Sequence, residues 1–366
     1  MSVSATVNSS PVAYVYVSNL ANVSTGVSQI NGYAAAPNGS LTPIPGSPFP
    51  DNVGPIAVNG KWLFGANPYP GPQAPSVIQS FAIAPNGALT FRDSITTALS
   101  GGSIVSIYLD HTGSSLYGDY YTTNNDYLGY SIDQSTGQLT YVSDLADGPP
   151  HNSPVSFIGN NQFAYSSSCY GTIPGIYGVQ RASDGALTNL NINPPFPPYP
   201  PMSYFCPWLA AADPTNHLAI AMQPYNNGPV GPYQLATYTV DSFGNLTTAS
   251  TPATMPKVLV GDVIDYKMSP DGKYLAVGGY TGLQIFHFNG ANPITPFTGL
   301  LTTNQVNQVF WDNANHLYAI SPAGKLYVFG GTASGVAQAP GSPYSIPNAQ
   351  YLIVLPKTQL TMTGAH

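Results

Sequence analysis

Glutamate is absent from this chain of 366 residues, and charge of either sign is scarce. All fifteen acidic residues are aspartate, and charged residues make up 6%, against about 25% in ordinary soluble domains. Long surface helices are rich in Glu, Lys and Arg, so this composition nearly excludes long helices. The formal net charge is −7 and no basic cluster exists, which argues against nucleic acid and anionic membrane as partners.

Long hydrophobic runs are also lacking, so the sequence predicts no transmembrane segment. The first eleven residues are polar, without the positive and apolar regions of a signal peptide. A surface of Asn, Thr, Ser, Tyr and Pro in place of charge is common in exported proteins. We therefore predict a secreted, periplasmic or cell-surface location.

Turn-forming and aromatic residues are abundant. The chain has 37 Gly, 37 Pro and 26 Tyr, and hydrophobic residues make up 43%. Helix breakers at this density, with Tyr, Val, Ile and Phe between them, favour an all-β fold with many turns over disorder.

A turn of the form x-x-G-x-L-T recurs along the chain at intervals of about 48 residues, lengthened to about 59 between the fourth and fifth copies. Its glycines are Gly39, Gly87, Gly137, Gly185 and Gly244, with degenerate copies at Gly290 and Gly335. Asn-Gly or Asp-Gly pairs between alternating apolar runs are typical of hairpins. Seven copies at this period predict the four-stranded blades of a propeller.

Strand order can be predicted within each repeat. In the second repeat, residues 55–59, 61–66, 77–84 and 89–94 form the four strands from the innermost outward. The sixth repeat shows the same order at 265–269, 274–278 and 283–288. The pattern places the innermost strand first in every complete repeat.

Ring closure follows from the first repeat, which begins at its second strand, 13–18. The last segment, 350–356, supplies the missing innermost strand and leaves no open edge. The predicted fold class is therefore an all-β, seven-bladed β-propeller of four-stranded blades, closed by strand 350–356. We expect a flexible segment at 1–11, a single propeller at 12–357 and a C-terminal tail at 358–366.

The blade motif resembles that of a known family. Segments 14–19 (YVYVSN), 110–117 (DHTGSSLY) and 269–274 (SPDGKY) resemble the YVTN-type propellers and the lactonase-like seven-bladed family. That family includes 6-phosphogluconolactonases and muconate-lactonizing enzymes. The resemblance spans nearly the whole chain and implies the fold, whereas chemistry depends on the site.

The family's site departs from this sequence at several positions. The resemblance implies a Pro-His-x-His stretch, where this chain has His151 followed by Ser153 and Pro154. The expected Asn-Glu is replaced by Gln223-Pro224. Arg92 and Arg181 both fall on outer strands, so no fixed cation is placed to bind a phosphosugar. Whether the chain is an enzyme is left open.

Ligands of propellers usually bind at one mouth of the central channel, where two sets of loops meet. The loops that lead into the inner strands contain Asn52, Ser103, His151, Ser153, Cys206, Trp208, Asp262, Asp265, Asn307 and Asn348. The loops after the second strands contain Asn19, Asn67, Tyr69, Tyr120, Tyr121, Gln223, Tyr225 and Tyr280. Aromatic faces and amides without charge suit a neutral polyol or glycan, although the same residues can simply cap a water-filled channel.

From these loops we select candidate ligand-binding and catalytic residues. The ligand-binding candidates are Asn19, Asn67, Tyr120, Trp208, Gln223, Tyr225, Tyr280 and Asn307. The catalytic candidates are His151 as a base, with Asp262 or Asp265 to orient it.

No cofactor is expected, and no D-x-D-x-D-G loop is present. The carboxylates of Asp119, Asp126, Asp262 and Asp265 nevertheless offer oxygen ligands for Ca²⁺.

Two cysteines, Cys169 and Cys206, fall on loops at the same face of neighbouring repeats. A disulfide between them would hold the proline-rich insertion at 194–201, and two unpaired thiols are the alternative.

Three functions fit these observations. The first is an exported binding or scaffold protein that recognises a neutral, carbohydrate-like ligand or a protein partner at the channel mouth. The second is a divergent lactonase that uses His151. The third is a self-assembling surface or matrix protein.

Overall fold

The computed structural model describes residues 10–22, 26–67, 75–97, 99, 102–121, 125–146, 155–169, 175–199, 203–332 and 335–357. The first half of this chain forms strands β1 Ala13–Asn22, β2 Val27–Ala35, β3 Leu41–Pro43, β4 Ile56–Asn59, β5 Trp62–Ala66, β6 Val77–Ile83, β7 Leu89–Thr96, β8 Ser103–Leu109, β9 Ser115–Tyr121, β10 Asn125–Ile132, β11 Leu139–Leu145, β12 Ser156–Phe157, β13 Phe163–Ser168, β14 Gly175–Arg181 and β15 Leu187–Leu190. The second half forms β16 Tyr204–Ala212, β17 His217–Tyr225, β18 Gln234–Val240, β19 Leu246–Thr247, β20 Val263–Met268, β21 Tyr274–Gly279, β22 Gly282–Asn289, β23 Asn292–Pro296, β24 Gln308–Trp311, β25 His316–Ser321, β26 Lys325–Thr332, β27 Gly335–Gln338, β28 Tyr344–Ser345 and β29 Ala349–Pro356.

These strands form seven antiparallel sheets, one for each blade. Blades 2 to 7 run in chain order, from β4–β7 for blade 2 to β24–β27 for blade 7, and β28 adds a fifth strand to blade 7 through β26. The sequence prediction of a seven-bladed propeller of four-stranded blades is confirmed. Within the described part of the chain, no helix is long and apolar enough to cross a bilayer.

Blade 1 has the strand order β29-β1-β2-β3, so the C-terminal strand is its innermost strand. The pairing runs from Ala13 opposite Pro356 to Ser18 opposite Tyr351. The ring is closed by this ladder, as the sequence predicted, because the edge of β1 would otherwise expose unpaired backbone groups.

The hydrophobic core lies between the blades. Seven clusters of buried side chains fill the seven spaces between neighbouring sheets. Both faces of the central strands are therefore covered, and β5, β13 and β25 are buried along their whole length. This explains why these strands read as continuous apolar or small-residue runs.

The repeated glycine is required by two independent constraints. At Gly39, Gly87, Gly137, Gly185 and Gly244, φ lies between 77° and 96°, a region that favours glycine. The turn also docks against the preceding blade, and a Cβ on Gly137 would lie 2.5 Å from the Trp62 ring. The turn motif therefore marks both the hairpin and the contact between blades.

Tyrosine hydroxyls tie three of these turns to the blade before them. Tyr16, Tyr117 and Tyr165 each donate a hydrogen bond of 2.7 Å to the turn glycine carbonyl of the next blade. All three rings are buried, so the hydroxyl needs this protein partner.

Replacing Tyr117 by Phe leaves the Gly185 carbonyl without its hydroxyl donor. We expect a loss of about 1 kcal/mol in the free energy of unfolding, the usual net value of one such bond. Tyr141→Phe is the matched control, because Tyr141 lies on an outermost strand with 44% of its surface exposed. Denaturant titration that finds equal stability for both variants would contradict this role of Tyr117.

Candidate functional site

The central channel is a cavity of about 520 Å³ lined by the innermost strands of all seven blades. Among the described residues that line it, Asp265 and Lys267 carry the only charged side chains. Both lie on β20, where alternate residues point the same way. Most of the remaining wall is apolar, with polar side chains at a few positions such as Asn307 and Gln308.

Asp265 is held between blades 6 and 7. One carboxylate oxygen accepts a hydrogen bond of 2.9 Å from the Val309 backbone N–H, and the other lies 3.4 Å from Lys267 Nζ. The two charges offset each other in the channel wall. This pair makes the described part of the channel close to neutral.

The three catalytic candidates do not form one described group. Asp265 lines the channel, whereas Asp262 precedes β20 on an exposed loop and its carbonyl accepts the Tyr280 N–H. His151 lies outside the described residues, as do Ser153 and Tyr69. A base-and-orienter pair with His151 therefore stays a prediction.

Several candidate ligand-binding side chains form hydrogen bonds with neighbouring residues of the protein. Asn19 is buried, donates to the Pro347 carbonyl at 2.8 Å and accepts from Asn31 at 2.6 Å. Asn67 accepts from the Val77 N–H at 2.7 Å. The Tyr120 hydroxyl accepts from the Gly102 N–H at 3.1 Å within the core.

The remaining ligand-binding candidates differ in how far their side chains are buried. Gln223 is buried, and Trp208 is half-buried with its indole N–H donating to the Val263 carbonyl at 3.1 Å. Asn307 lines the channel and accepts from Gln305 at 2.9 Å. Tyr280 is 58% exposed.

An aromatic surface lies on blades 5 and 6 at the channel mouth, where the second strands end and the inner strands begin. Tyr225 ends β17 and contacts the ring of Tyr204, the first residue of β16, with centroids 5.3 Å apart. Tyr204 is 44% exposed, and Tyr280 follows β21 at the same end of the next blade. We call Tyr204, Tyr225 and Tyr280 the tyrosine surface. Tyr204 was not among the residues predicted from the sequence, although it lies two residues before Cys206, a predicted mouth residue.

Three other predicted mouth residues also lie at loop junctions. Asn52 accepts from the Ser28 N–H at 2.8 Å, and Asn348 donates to the Leu20 carbonyl at 3.3 Å. Ser103 begins β8 and is half-buried. The side chain of Tyr121 lies outside the described part.

Cys169 and Cys206 form a disulfide, with their Cα atoms 5.2 Å apart. Cys169 follows β13 of blade 4, and Cys206 lies in β16 of blade 5. The bridge therefore joins the two blades on either side of the proline-rich insertion, which was the pairing favoured from the sequence.

Neither arginine lies at the channel. Arg181, on the third strand of blade 4, is 3.2 Å from Asp110 of blade 3. Burial alone raises the pKa of the Asp110 carboxyl, but its hydrogen bonds, led by the one from Thr112, and the charge of Arg181 lower it overall. Arg92 is exposed on β7, an outermost strand. Phosphate binding by either guanidinium inside the channel is excluded by these positions.

The four aspartates considered for Ca²⁺ are not brought together. Asp119 belongs to blade 3, whereas Asp262 and Asp265 belong to blade 6, and the side chain of Asp126 lies outside the described part. Among the described residues, no group of three or more His, Cys or Asp side chains is placed to hold a metal ion.

Comparison with known proteins identifies the fold. No protein-family profile matches the chain, and no curated protein matches it in sequence. Among solved structures, the periplasmic gluconolactonase PpgL of Pseudomonas aeruginosa is 14% identical, with a TM-score of 0.67 over 94% of this chain and 99% of that one. A Bacteroides fragilis protein provisionally assigned as a 6-phosphogluconolactonase is 15% identical, with a TM-score of 0.68 over 94% and 98%.

A protein from Lactobacillus plantarum is 12% identical, with a TM-score of 0.67 over 94% of this chain and 99% of that one. At these identities the likeness concerns architecture and not chemistry. The resemblance drawn from the blade motif agrees with it. This chain therefore has the seven-bladed β-propeller fold of the lactonase-like proteins.

Proposed function

We propose that this protein is an exported binding protein that recognises a neutral, carbohydrate-like ligand at the channel mouth. The observation that carries the proposal is the tyrosine surface of Tyr204, Tyr225 and Tyr280. Tyr204 at 44% exposure and Tyr280 at 58% exposure, on neighbouring blades, offer flat faces for the C–H groups of a sugar ring.

Polar partners for sugar hydroxyls lie beside these rings. Asn226 and Asn227 follow Tyr225 and are both exposed, so their amides can donate and accept. The adjoining loop carries exposed Lys257 and Asp262, whose charges offset each other. A neutral ligand is favoured because this surface has no net charge to complement an ionic one.

Alanine substitutions of Tyr225 and Tyr280 test the proposal. Isothermal titration against a panel of neutral oligosaccharides should show at least a tenfold weaker affinity for each variant, since each loses an aromatic contact worth about 1.5 kcal/mol. Tyr141→Ala on the outer strand of blade 3 is the control and should bind as the parent does. Unchanged affinity in both variants, or binding confined to charged ligands, would overturn the proposal.

A lactonase is the second candidate, favoured by the fold shared with proteins such as PpgL, which is named a gluconolactonase. Asp265 in the channel wall is the described carboxylate that such a reaction has available. Turnover of neutral aldonolactones that is lost in Asp265→Asn and His151→Ala with melting unchanged would favour catalysis over binding. Binding of a protein, or reversible self-association through the same face, would instead favour the scaffold and matrix functions.

Two observations support the exported location within this proposal. The Cys169–Cys206 disulfide is the kind of bond that persists in oxidising compartments. PpgL, which shares the fold, is described as periplasmic.

A further inference from the structure

A buried carboxylate with no hydrogen-bond partner in the described part of the chain lies between blades 3 and 4. Asp119, on β9, has no exposed surface, and neither of its carboxylate oxygens has a hydrogen-bond partner among the described residues. Burial raises the pKa of this carboxyl to about 7. An uncompensated buried charge is strongly unfavourable, so such a group calls for a specific explanation.

The strand register shows where the side chain points. Asp119 pairs with Ser106 on β8 and with Tyr127 on β10, so these three side chains share one face of the blade 3 sheet. Tyr117, two residues earlier on the same face, reaches the Gly185 carbonyl of blade 4. The face that carries Asp119 is therefore the one packed against blade 4.

Other oxygen-bearing side chains lie near the Asp119 carboxylate. The hydroxyls of Ser106, Tyr108 and Ser166 are buried beside it. Among the described residues, Ser106 has no hydrogen-bond partner, whereas Tyr108 interacts with the Val155 backbone and Ser166 with Tyr127. Burial, and next to it the charge of Asp119, raises the pKa of Tyr127, while the Ser166 hydroxyl lowers it. Ala164, two residues before Ser166 on the same face of β13, packs with Tyr117 and Tyr127 between blades 3 and 4, so Ser166 points toward the face that carries Asp119. We call Ser106, Tyr108, Asp119 and Ser166 the oxygen niche.

The oxygen niche borders the central channel, and the carboxylate of Asp119 is its one acidic group. Ser106 and Tyr108 also line the channel cavity, which offers a route of entry. Arg181, the described cation at this blade interface, is paired with Asp110. Burial is the one cause acting on the Asp119 pKa, so no described charge compensates the carboxylate.

The geometry points to a binding site for a hard metal cation of the Ca²⁺ class in the oxygen niche. Carboxylate, hydroxyl and water oxygens are the ligands that such cations take, and the niche contains no nitrogen or sulfur donor among its four side chains. A single carboxylate gives weak binding, in the range of about 10⁻⁴–10⁻³ M found for low-affinity extracellular sites. The site is independent of the tyrosine surface, which belongs to blades 5 and 6.

Terbium luminescence tests the site, because Tb³⁺ replaces Ca²⁺ and is excited by energy transfer from nearby tyrosines such as Tyr108 and Tyr127. Titration of the full chain with TbCl₃ should give saturable emission that Ca²⁺ displaces. Asp119→Asn, nearly isosteric and uncharged, should weaken Tb³⁺ affinity at least tenfold. Asp184→Asn is the matched control, since Asp184 is exposed on the outer turn of blade 4 and its amide can still accept the Ala186 N–H.

Ser106→Ala provides a second variant that keeps the charge and should weaken Tb³⁺ affinity severalfold, so the test holds even where Asp119→Asn fails to fold. Melting curves establish which variants are folded. Absence of saturable emission in the parent protein overturns the site. The site is also overturned if folded Asp119→Asn gives the same emission as the parent protein. If Asp119→Asn does not fold, equal emission from Ser106→Ala overturns it instead.

Discussion

Removal of residues 348–366 is expected to abolish the cooperative unfolding transition of the whole ring. This truncation deletes β29, whose Leu352, Val354 and Leu355 are at most 9% exposed. Burial of three such side chains stabilises the fold by about 5–9 kcal/mol. That loss is comparable to the entire stability of many proteins, about 5–15 kcal/mol. It also exposes the edge of β1 along a ladder that extends from Ala13 to Asn19.

The matched truncation removes only 358–366 and leaves β29 whole. It should melt as the full chain does in differential scanning calorimetry. A synthetic peptide covering 348–357 should restore part of the transition to the longer truncation, because strand addition to an open edge supplies the same backbone hydrogen bonds. A chain without β29 that melts at the parent temperature would show that the ring does not depend on this closure.

Asp312→Ala is expected to be the most damaging single substitution proposed for this chain. Asp312 has no exposed surface and accepts four hydrogen bonds of 2.8–2.9 Å, from the Ala314 and His316 N–H groups, the His316 ring and the Tyr318 hydroxyl. Alanine leaves all four donors unpaired inside blade 7. Breaking a buried, charge-assisted network of this kind costs about 3–5 kcal/mol.

Asp133→Ala is the control for this substitution. Asp133 also accepts hydrogen bonds within its turn, from the Ser135 N–H at 2.7 Å and the Thr136 N–H at 3.1 Å, but it is exposed to water. Water can replace the lost acceptor there, so the drop in stability should be much smaller. Urea titrations that rank the two variants equally would contradict the assigned role of Asp312.

Asp312 also shows what the sequence left unresolved. The same position after the innermost strand holds Asp110 in blade 3 and Asp213 in blade 5, so a repeated aspartate was visible in the aligned repeats. Its partners differ from blade to blade. Asp110 pairs with Arg181, which is distant in sequence, whereas Asp213 lies 3.2 Å from His217 within its own turn. Side-chain pairings between blades depend on how neighbouring sheets pack, and no local sequence pattern predicts that packing.

The candidate site residues show the same contrast between what the sequence predicts and what the packing of the sheets decides. Asp265 and Asn307 line the channel, because residues at an innermost strand face the axis, and their roles in catalysis and binding stay predictions. Asn19, Asn67 and Tyr120 lie at the expected end and hydrogen-bond to backbone groups of adjoining loops, a contact that the sequence did not indicate. An amide that holds a loop and an amide that binds a ligand look alike in a sequence, since both follow a strand end.

The sequence by itself determined the propeller, its seven blades and its closure by the last strand. Those features depend on local rules, namely period-two alternation, glycine at positive φ and a repeat length of about 48 residues. Only the tertiary structure decided which polar side chains remain free for chemistry. It exposed Tyr204 and Tyr280 and buried Asp119 with no hydrogen-bond partner among the described residues, because burial and pairing are set where two sheets meet.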